Sequence, residues 1–324
     1  MKKRFDVICI GAALVDMVAK VERHPLEDDE VFVSDLILLS GGAAANSAFA
    51  CAKIGLKSAF LGKLGLNDIF GSKIIDDFKE VNVSTELLKY TKDHGTGSAY
   101  VALNQKGDRR IYAYSGAANY LSKEDILENE LRLTKVIFLS SLKNLEPFIK
   151  AANIGKKNNI PTILNPGMLI VDQGFDNIKK ILGLIDILIL SQREFKTLLK
   201  IDQSGINESI VKNNASKLLE LGIKVVIATL GEKGAVLITN EDSELITSTK
   251  VENVVDTTGA GDAFSAGFIY KFSKNPTIEF DHLIKCVKIG NFVAANCIQH
   301  LGARYGIPDL ALVKNFEKIL NNKI

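Results

Sequence analysis

Phe5-Asp6-Val7-Ile8-Cys9-Ile10-Gly11 is a short, nearly continuous apolar run closed by a glycine. Without strict alternation of apolar and polar residues, it reads as a strand covered on both faces, as in a parallel sheet. Similar runs recur at Ser58–Leu61, Val136–Leu139, Pro161–Leu164, Ile185–Leu190 and Lys224–Ala228, each bounded by Gly, Asn, Asp or Ser. Apolar residues at helical spacing fill the intervals, over Ala43–Ile54, Ile69–Glu80, Leu145–Lys157, Phe175–Leu184 and Glu208–Leu221. Strand and helix alternating in this way predict an α/β fold, a mostly parallel sheet with helices on both faces.

Two segments break that rhythm. Val31–Leu39 and Gly97–Tyr114 contain alternating stretches, the second interrupted by the turn Gln105-Lys106-Gly107-Asp108. They predict a small antiparallel sheet laid over one end of the main sheet as a lid, with strands from about residues 17–39 and 96–115. From Ala260 onward the chain turns helical, over Ala263–Phe272, Phe280–Gln299 and Asp309–Leu320. No linker, low-complexity tract or internal repeat divides the chain, so residues 1–324 are expected to form a single domain carrying that lid.

The chain has 324 residues, of which 47% are hydrophobic, enough to bury a large core. Forty basic and 38 acidic residues are well mixed and leave a formal charge of +2. No basic stripe marks a nucleic-acid partner. Cys9, Cys51, Cys286 and Cys297 form no CxxC pair and lie in apolar stretches, which predicts buried reduced thiols. His24, His94, His282 and His300 are scattered, none at metal-ligand spacing. The apolar run behind Met1-Lys2-Lys3-Arg4 is broken by Asp6 and Asp16, and no stretch is long enough to span a membrane. A soluble cytoplasmic protein with no membrane partner is the expectation.

Chemistry concentrates in glycine-rich segments. Val254-Val255-Asp256-Thr257-Thr258-Gly259-Ala260-Gly261-Asp262-Ala263-Phe264 is expected to run from a strand into a helix. The first N–H groups of a helix lack intrahelical partners and, with the helix dipole, make an anion site. The segment is neither a P-loop nor GxGxxG, since Phe264 stands where the third glycine would be. Asp262, beside such a site, is placed to accept a proton from an attacking hydroxyl. An acidic residue also favours the first turn of any helix, so this segment alone leaves both readings open. Gly41-Gly42-Ala43-Ala44-Ala45-Asn46 enters another helix; its glycines permit close approach of a ligand, and Asn46 can bind a hydroxyl or simply be solvated. Asp16 follows the first strand, at the edge where α/β proteins bind ligands, and either accepts two hydroxyls of a polyol or caps a turn. Ser191-Gln192-Arg193-Glu194 and Thr229-Leu230-Gly231-Glu232-Lys233-Gly234 follow two further strands onto the same edge.

Together these segments resemble the ribokinase family, also called the PfkB carbohydrate and nucleoside kinases. Gly41–Asn46 is similar to its N-terminal signature and Asp256–Phe264 to its C-terminal one. Gly62-Lys63-Leu64-Gly65-Leu66-Asn67-Asp68-Ile69-Phe70-Gly71, the TxGxxG turn at Thr229–Gly234, Gly302-Ala303 and Pro308 resemble further family blocks in the same order. The resemblance implies a Rossmann-like core with a β-sheet lid, ATP as phosphoryl donor and Mg²⁺ as metal. It implies Asp262 as catalytic base and the backbone of Gly259, Ala260 and Gly261 as anion hole. Thr229, Gly231 and Gly234 would line the nucleotide with Ser191, and Asn291 would lie near the adenine. Asp16, Gly41, Gly42 and Asn46 would hold the acceptor, and Glu194 would order Mg²⁺ and its waters.

Several residues depart from the family pattern. Ser191 stands where Asn is common before Glu194, which implies altered metal or phosphate contacts. Ala43 stands where ribose kinases carry Lys, and Leu142 aligns with a position that tends to be Glu, which argues against ribose. Leu14-Val15-Asp16 and Tyr114-Ser115-Gly116-Ala117-Ala118 are more similar to the adenosine-kinase-related branch. The function expected is transfer of the γ-phosphoryl group of ATP to a primary hydroxyl of a sugar or nucleoside. The alternatives are a hydroxymethylpyrimidine or pyridoxal-type kinase of the same fold, and a non-catalytic ligand-binding relative. Since family members often pair their lids, a homodimer through the lid is expected.

Overall fold

In the computed structural model, which describes residues 3–106, 108–202 and 205–322, the apolar runs lie side by side in one sheet. Its strands are β1 (Phe5–Gly11), β4 (Ser58–Leu61), β9 (Thr134–Ser140), β10 (Thr162–Asn165), β11 (Ile187–Ser191), β12 (Val225–Thr229), β13 (Ala235–Ile238) and β14 (Ser243–Ile246). The order across the sheet is β14-β13-β12-β11-β10-β9-β1-β4. Pairing is parallel from β4 to β12 and antiparallel at β13 and β14. Neither antiparallel strand is among the runs expected above, although β13, Ala235-Val236-Leu237-Ile238, is as apolar and buried as β4. Successive side chains of a strand point to opposite faces, so Val7 and Cys9 enter one core while Ile8 and Ile10 enter the other.

One face is covered by α1 (Ala43–Lys53), α2 (Ile69–Glu80), α9 (Ala260–Phe272), α10 (Phe280–Cys297) and α11 (Leu310–Asn322). The other is covered by α3 (Glu128–Leu131), α4 (Glu146–Lys157), α5 (Gly167–Val171), α6 (Phe175–Leu182), α7 (Gln192–Leu199) and α8 (Glu208–Leu219). Crossovers onto both faces are what a parallel sheet requires. After β1 the chain adds β4 on one side and β9 on the other, so the carboxyl ends of β1 and β9 flank a topological switch point. Gly11 and Ser140 close those two strands opposite each other.

A second sheet joins β2 (Leu14–Val21), β3 (Val33–Gly41), β7 (Gly97–Leu103) and β8 (Arg109–Tyr114) in the order β3-β2-β7-β8. The outer pairs are antiparallel, as anticipated, but the central pair β2–β7 is parallel. The turn residue Gly107 lies outside the described residues. A two-stranded parallel ladder, β5 (Lys63–Gly65) with β6 (Lys89–Thr91), lies at the junction. There Asp68 acts on two segments at once. Its Oδ1 accepts the Gly71 N–H at 2.6 Å to cap α2, and its Oδ2 accepts the Thr96 N–H at 2.6 Å just before β7. Thr96 Oγ1 in turn accepts the Gly65 N–H at 3.0 Å. Asp68→Ala removes a helix cap and a tether together and is expected to cost about 1–3 kcal/mol. A urea unfolding titration reads the loss as a lowered midpoint.

Candidate functional site

The segment entering α9 is extended but joins no sheet. Val255 and Asp256 donate their N–H groups to the Ile298 carbonyl at 2.8 and 3.2 Å, so the expected strand is replaced by a strap along the end of α10. Asp256 shapes the turn that follows. Its Oδ1 accepts from the N–H and hydroxyl of Thr258 at 3.0 and 2.7 Å, and its Oδ2 accepts the Gly302 N–H at 2.9 Å. Gly259 then takes φ 78°, and a β-carbon there would collide with Ala303. Only glycine meets both conditions without strain. Helix α9 starts at Ala260, so the N–H groups of Ala260, Gly261 and Asp262 have no acceptor one turn back. That of Ala260 reaches the Thr257 carbonyl at 3.2 Å.

Helix α1 packs against α9 and brings the two glycine-led starts together. Gly42 precedes α1 at φ 94°, where a β-carbon would lie 2.5 Å from the Ala12 carbonyl. Asn46, one turn in, is only 7% exposed. It is therefore not the solvated residue that one reading of the sequence allowed. Its Nδ2 donates to Asp262 Oδ2 at 3.0 Å, and its Oδ1 accepts from Arg304 Nε at 3.0 Å. Desolvation by the surrounding protein raises the Asp262 carboxyl to about 7. The Asn46 hydrogen bond and the Arg304 charge oppose that rise, and the Glu194 carboxylate adds to it.

Asp16 is not in a turn after β1. It is the third residue of β2, paired with Leu39 of β3 and Ala99 of β7. A β-carbon on Gly41 would sit 2.6 Å from Asp16 Oδ2, so the bare backbone of Gly41 is what leaves room for that carboxylate. Burial raises the Asp16 carboxyl and Arg304 partly offsets it, which puts Asp16, Asn46 and Asp262 within one electrostatic neighbourhood. Around Asp16 the same sheet face carries Val18, Ile37, Val101 and Ile111, all apolar. Ala43 is half-buried at the start of α1. Leu142, at 1% exposure, is packed into the hydrophobic core, two residues beyond the end of β9.

On the other side of Asp262 opens a cleft of about 910 Å³. Thr229, Gly231, Gly234, Ala260, Gly261 and Asn291 line it. Asn291 is buried, and its Nδ2 donates to the carbonyls of Ile246 and Thr247 at 3.3 and 3.0 Å, holding the cleft wall. Ser191 and Thr229 end neighbouring strands in register. Ser191 caps α7: its N–H donates to Glu194 Oε2 at 2.7 Å and its Oγ accepts the Glu194 N–H at 3.3 Å. Glu194 thus turns back on its own helix, and burial raises its carboxyl. Asn165, which no motif singled out, ends β10 beside Gly261 and donates to Ser265 Oγ at 3.2 Å. Arg304 was missed too. It stands one residue past Gly302-Ala303, and its partners are more than 200 residues away in sequence.

A helix-start anion site, a half-buried carboxylate and a nucleotide-sized cleft side by side are the parts of a phosphoryl-transfer enzyme. The sequence matches the description pfkB family carbohydrate kinase over residues 4–310. The chain belongs to that family. This kinase is 30% identical over 308 residues to a ribokinase of Staphylococcus aureus (strain COL), covering 93% of this chain and 96% of that protein. A solved structure of Arabidopsis thaliana ribokinase complexed with ribose and ATP matches it with a TM-score of 0.87 at 26% identity, over 98% and 99% of the two chains. A nucleoside kinase from Methanocaldococcus jannaschii shares the fold, with a TM-score of 0.78 at 22% identity, over 98% and 100%. This protein is an ATP-dependent kinase of the sugar and nucleoside class.

Holding Asp262 out of water has a measurable cost. Its folded-state value near 7 exceeds the ordinary 3.8, so the folded protein keeps a proton that the unfolded chain releases between those values. Stability is therefore lost as pH rises through that window, and the penalty is complete above it. Asp262→Asn should melt above the wild type at pH 8, with the gap shrinking towards pH 5. Calorimetric scans at the two pH values check this.

Proposed function

We propose that Asp262 is the base in transfer of the γ-phosphoryl group of ATP to a primary hydroxyl of a sugar or nucleoside. The observation that carries the reading is a desolvated carboxylate, held by Asn46, between the helix start at Gly259 and the acceptor-side residues Asp16 and Gly41. Asp262 takes the hydroxyl proton as the acceptor oxygen bonds to the γ-phosphorus and the bond to the β-phosphate oxygen breaks, releasing ADP. Backbone N–H groups around Gly259, Ala260 and Gly261 stabilise charge on the moving phosphoryl group. Thr229, Gly231, Gly234 and Asn291 line the nucleotide cleft, with Ser191 at its edge. Asp16, Gly41, Gly42 and Asn46 orient the acceptor. The small sheet acts as a lid that excludes water from the single kinase domain formed by residues 1–324.

Mg²⁺ is the metal this reading requires. Among the described residues no cluster of three or more His, Cys, Asp or Glu is grouped to hold an ion. That suits a metal held mainly by phosphate oxygens and water, with Glu194 ordering the water shell. When bound, it would neutralise charge on the phosphates. The four cysteines are free and buried, which supports a reducing, cytoplasmic setting. No helix among the described residues is long and apolar enough to cross a membrane.

A sugar is the first acceptor to test, since ribokinases and a deoxyribokinase are among the similar proteins. The apolar face around Asp16 favours a nucleoside as the second. Coupled ADP release across a panel of pentoses, hexoses, nucleosides and pyridoxal should find turnover with a sugar or nucleoside. Asp262→Asn should lower it by about 10²–10⁴-fold, and undiminished turnover removes Asp262 from the base role. Activity on pyridoxal alone overturns the acceptor class.

The sheet face opposite Asp16 exposes Leu36, Tyr112 and Tyr114, which supports a homodimer through the lid. Light scattering at micromolar concentration should give twice the chain mass, and a monomeric mass refutes the pairing.

A further inference from the structure

Arg304 is the most deeply buried cation near the site, at 8% exposure. Its guanidinium lies between the rings of Phe49 and Phe78, 5.0 and 5.7 Å from their centroids. Nη1 faces Asp77 Oδ2 at 3.5 Å, and Asp77 is also paired with Lys73 at 2.6 Å. A second direction of contact leads to the active site. Nε donates to Asn46 Oδ1, and Asn46 Nδ2 donates to Asp262 Oδ2, each at 3.0 Å.

The chemistry of that chain permits one arrangement. A guanidinium has donors and no acceptor, so it selects the carbonyl end of the Asn46 amide. The NH₂ end is then turned to Asp262, where an ionised carboxylate can only accept. Without Arg304 the amide is oriented by Asp262 alone, and a protonated Asp262 could donate to the oxygen of a flipped Asn46.

We propose that Arg304 is a positioning residue for phosphoryl transfer, orienting Asp262 through Asn46. The proposal rests on Asp262 being the base. Groups facing Asp262 come from several elements. Glu194 of α7 opposes its ionisation, Arg304 favours it, and the Cys297 thiol of α10, pushed up to about 12 by burial and the nearby carboxylates, stays neutral. Asp16 of β2 and Asp77 of α2 share the Arg304 charge. Arg304 is thus the cation that Asp262, Asp16 and Asp77 have in common, while Lys73 pairs with Asp77 alone among them.

The test uses the full chain and two readouts. Arg304→Met should lower kcat/KM for the acceptor by about 10–100-fold, leave the KM for ATP unchanged, and move the acid limb of the pH–rate profile up by about one pH unit. Arg304→Lys, which keeps the charge, should return that limb towards the wild-type position. In an Asn46→Ala background the loss from Arg304→Met should shrink to under about threefold, because the intermediary is gone. The carboxyl titration of Asp262, followed by ¹³C NMR of aspartate-labelled protein without substrates, should shift upward in Arg304→Met whatever the rate does. An unmoved titration, or the same loss with and without Asn46, overturns the proposal. Undiminished turnover of Asp262→Asn instead overturns the base assignment alone. If Arg304→Met does not fold, Arg304→Gln keeps a donor, removes the charge and reads the titration by itself.

Discussion

A carboxylate half withdrawn from water needs something to hold it there, and in this kinase the meeting of α1 with α9 does so. Both helices begin at a glycine with positive φ; α1 starts beside the carboxyl ends of β1 and β9, and α9 beside that of β10. The Asn46–Asp262 hydrogen bond closes the contact. Around that point everything else takes its place: the strap from Val255 to Thr258 exists to deliver Gly259, and Gly302-Ala303 packs beneath it. The cleft beyond is the space left between α9, α10 and the antiparallel edge of the sheet. Removing the contact would leave an intact α/β sheet with the Asp262 carboxylate unoriented.

Much of this is legible in the sequence because the main sheet is buried on both faces. A strand in that position must be apolar throughout, so its signal is strong over as few as four residues, as at Ser58–Leu61. The helices show through their spacing, and Ile69–Glu80 is found at its expected bounds. The antiparallel edge strand β14, only partly buried and half polar, carries little signal of that kind, whereas β13 is apolar throughout. Val254-Val255 carries a misleading one: two β-branched residues suggest a strand, but their backbone partner is the end of a helix. Asp16 was placed just beyond β1 because Gly11 ends that strand. Only the three-dimensional pairing with Leu39 and Ala99 shows that β2 has already begun.

The site divides in the same way. Residues whose work is done by backbone geometry, such as Gly42 and Gly259, are visible because glycine is required there. Residues whose work depends on a distant partner are not. Arg304 looks like an ordinary charge near the C-terminus until Asn46, Asp77, Phe49 and Phe78 are seen around it. Glu194 shows the opposite failing, since a carboxylate expected to face a metal is also spent on capping its own helix.

The small sheet leaves the main body along a single row of residues: Gly41, Leu14 and Gly97 pair across it, and Ser115 closes β8 beside them. Mechanically that makes it a cantilever clamped at one end. Asp16 is two residues out from the clamp and Val21 is seven, roughly 7 Å against 23 Å at strand spacing. Any swing of the sheet about its root therefore displaces the tip about three times as far as Asp16. The Asp16 carboxylate can stay nearly in register with Asp262 while the far end sweeps open. A substrate would be admitted at the tip and gripped at the root.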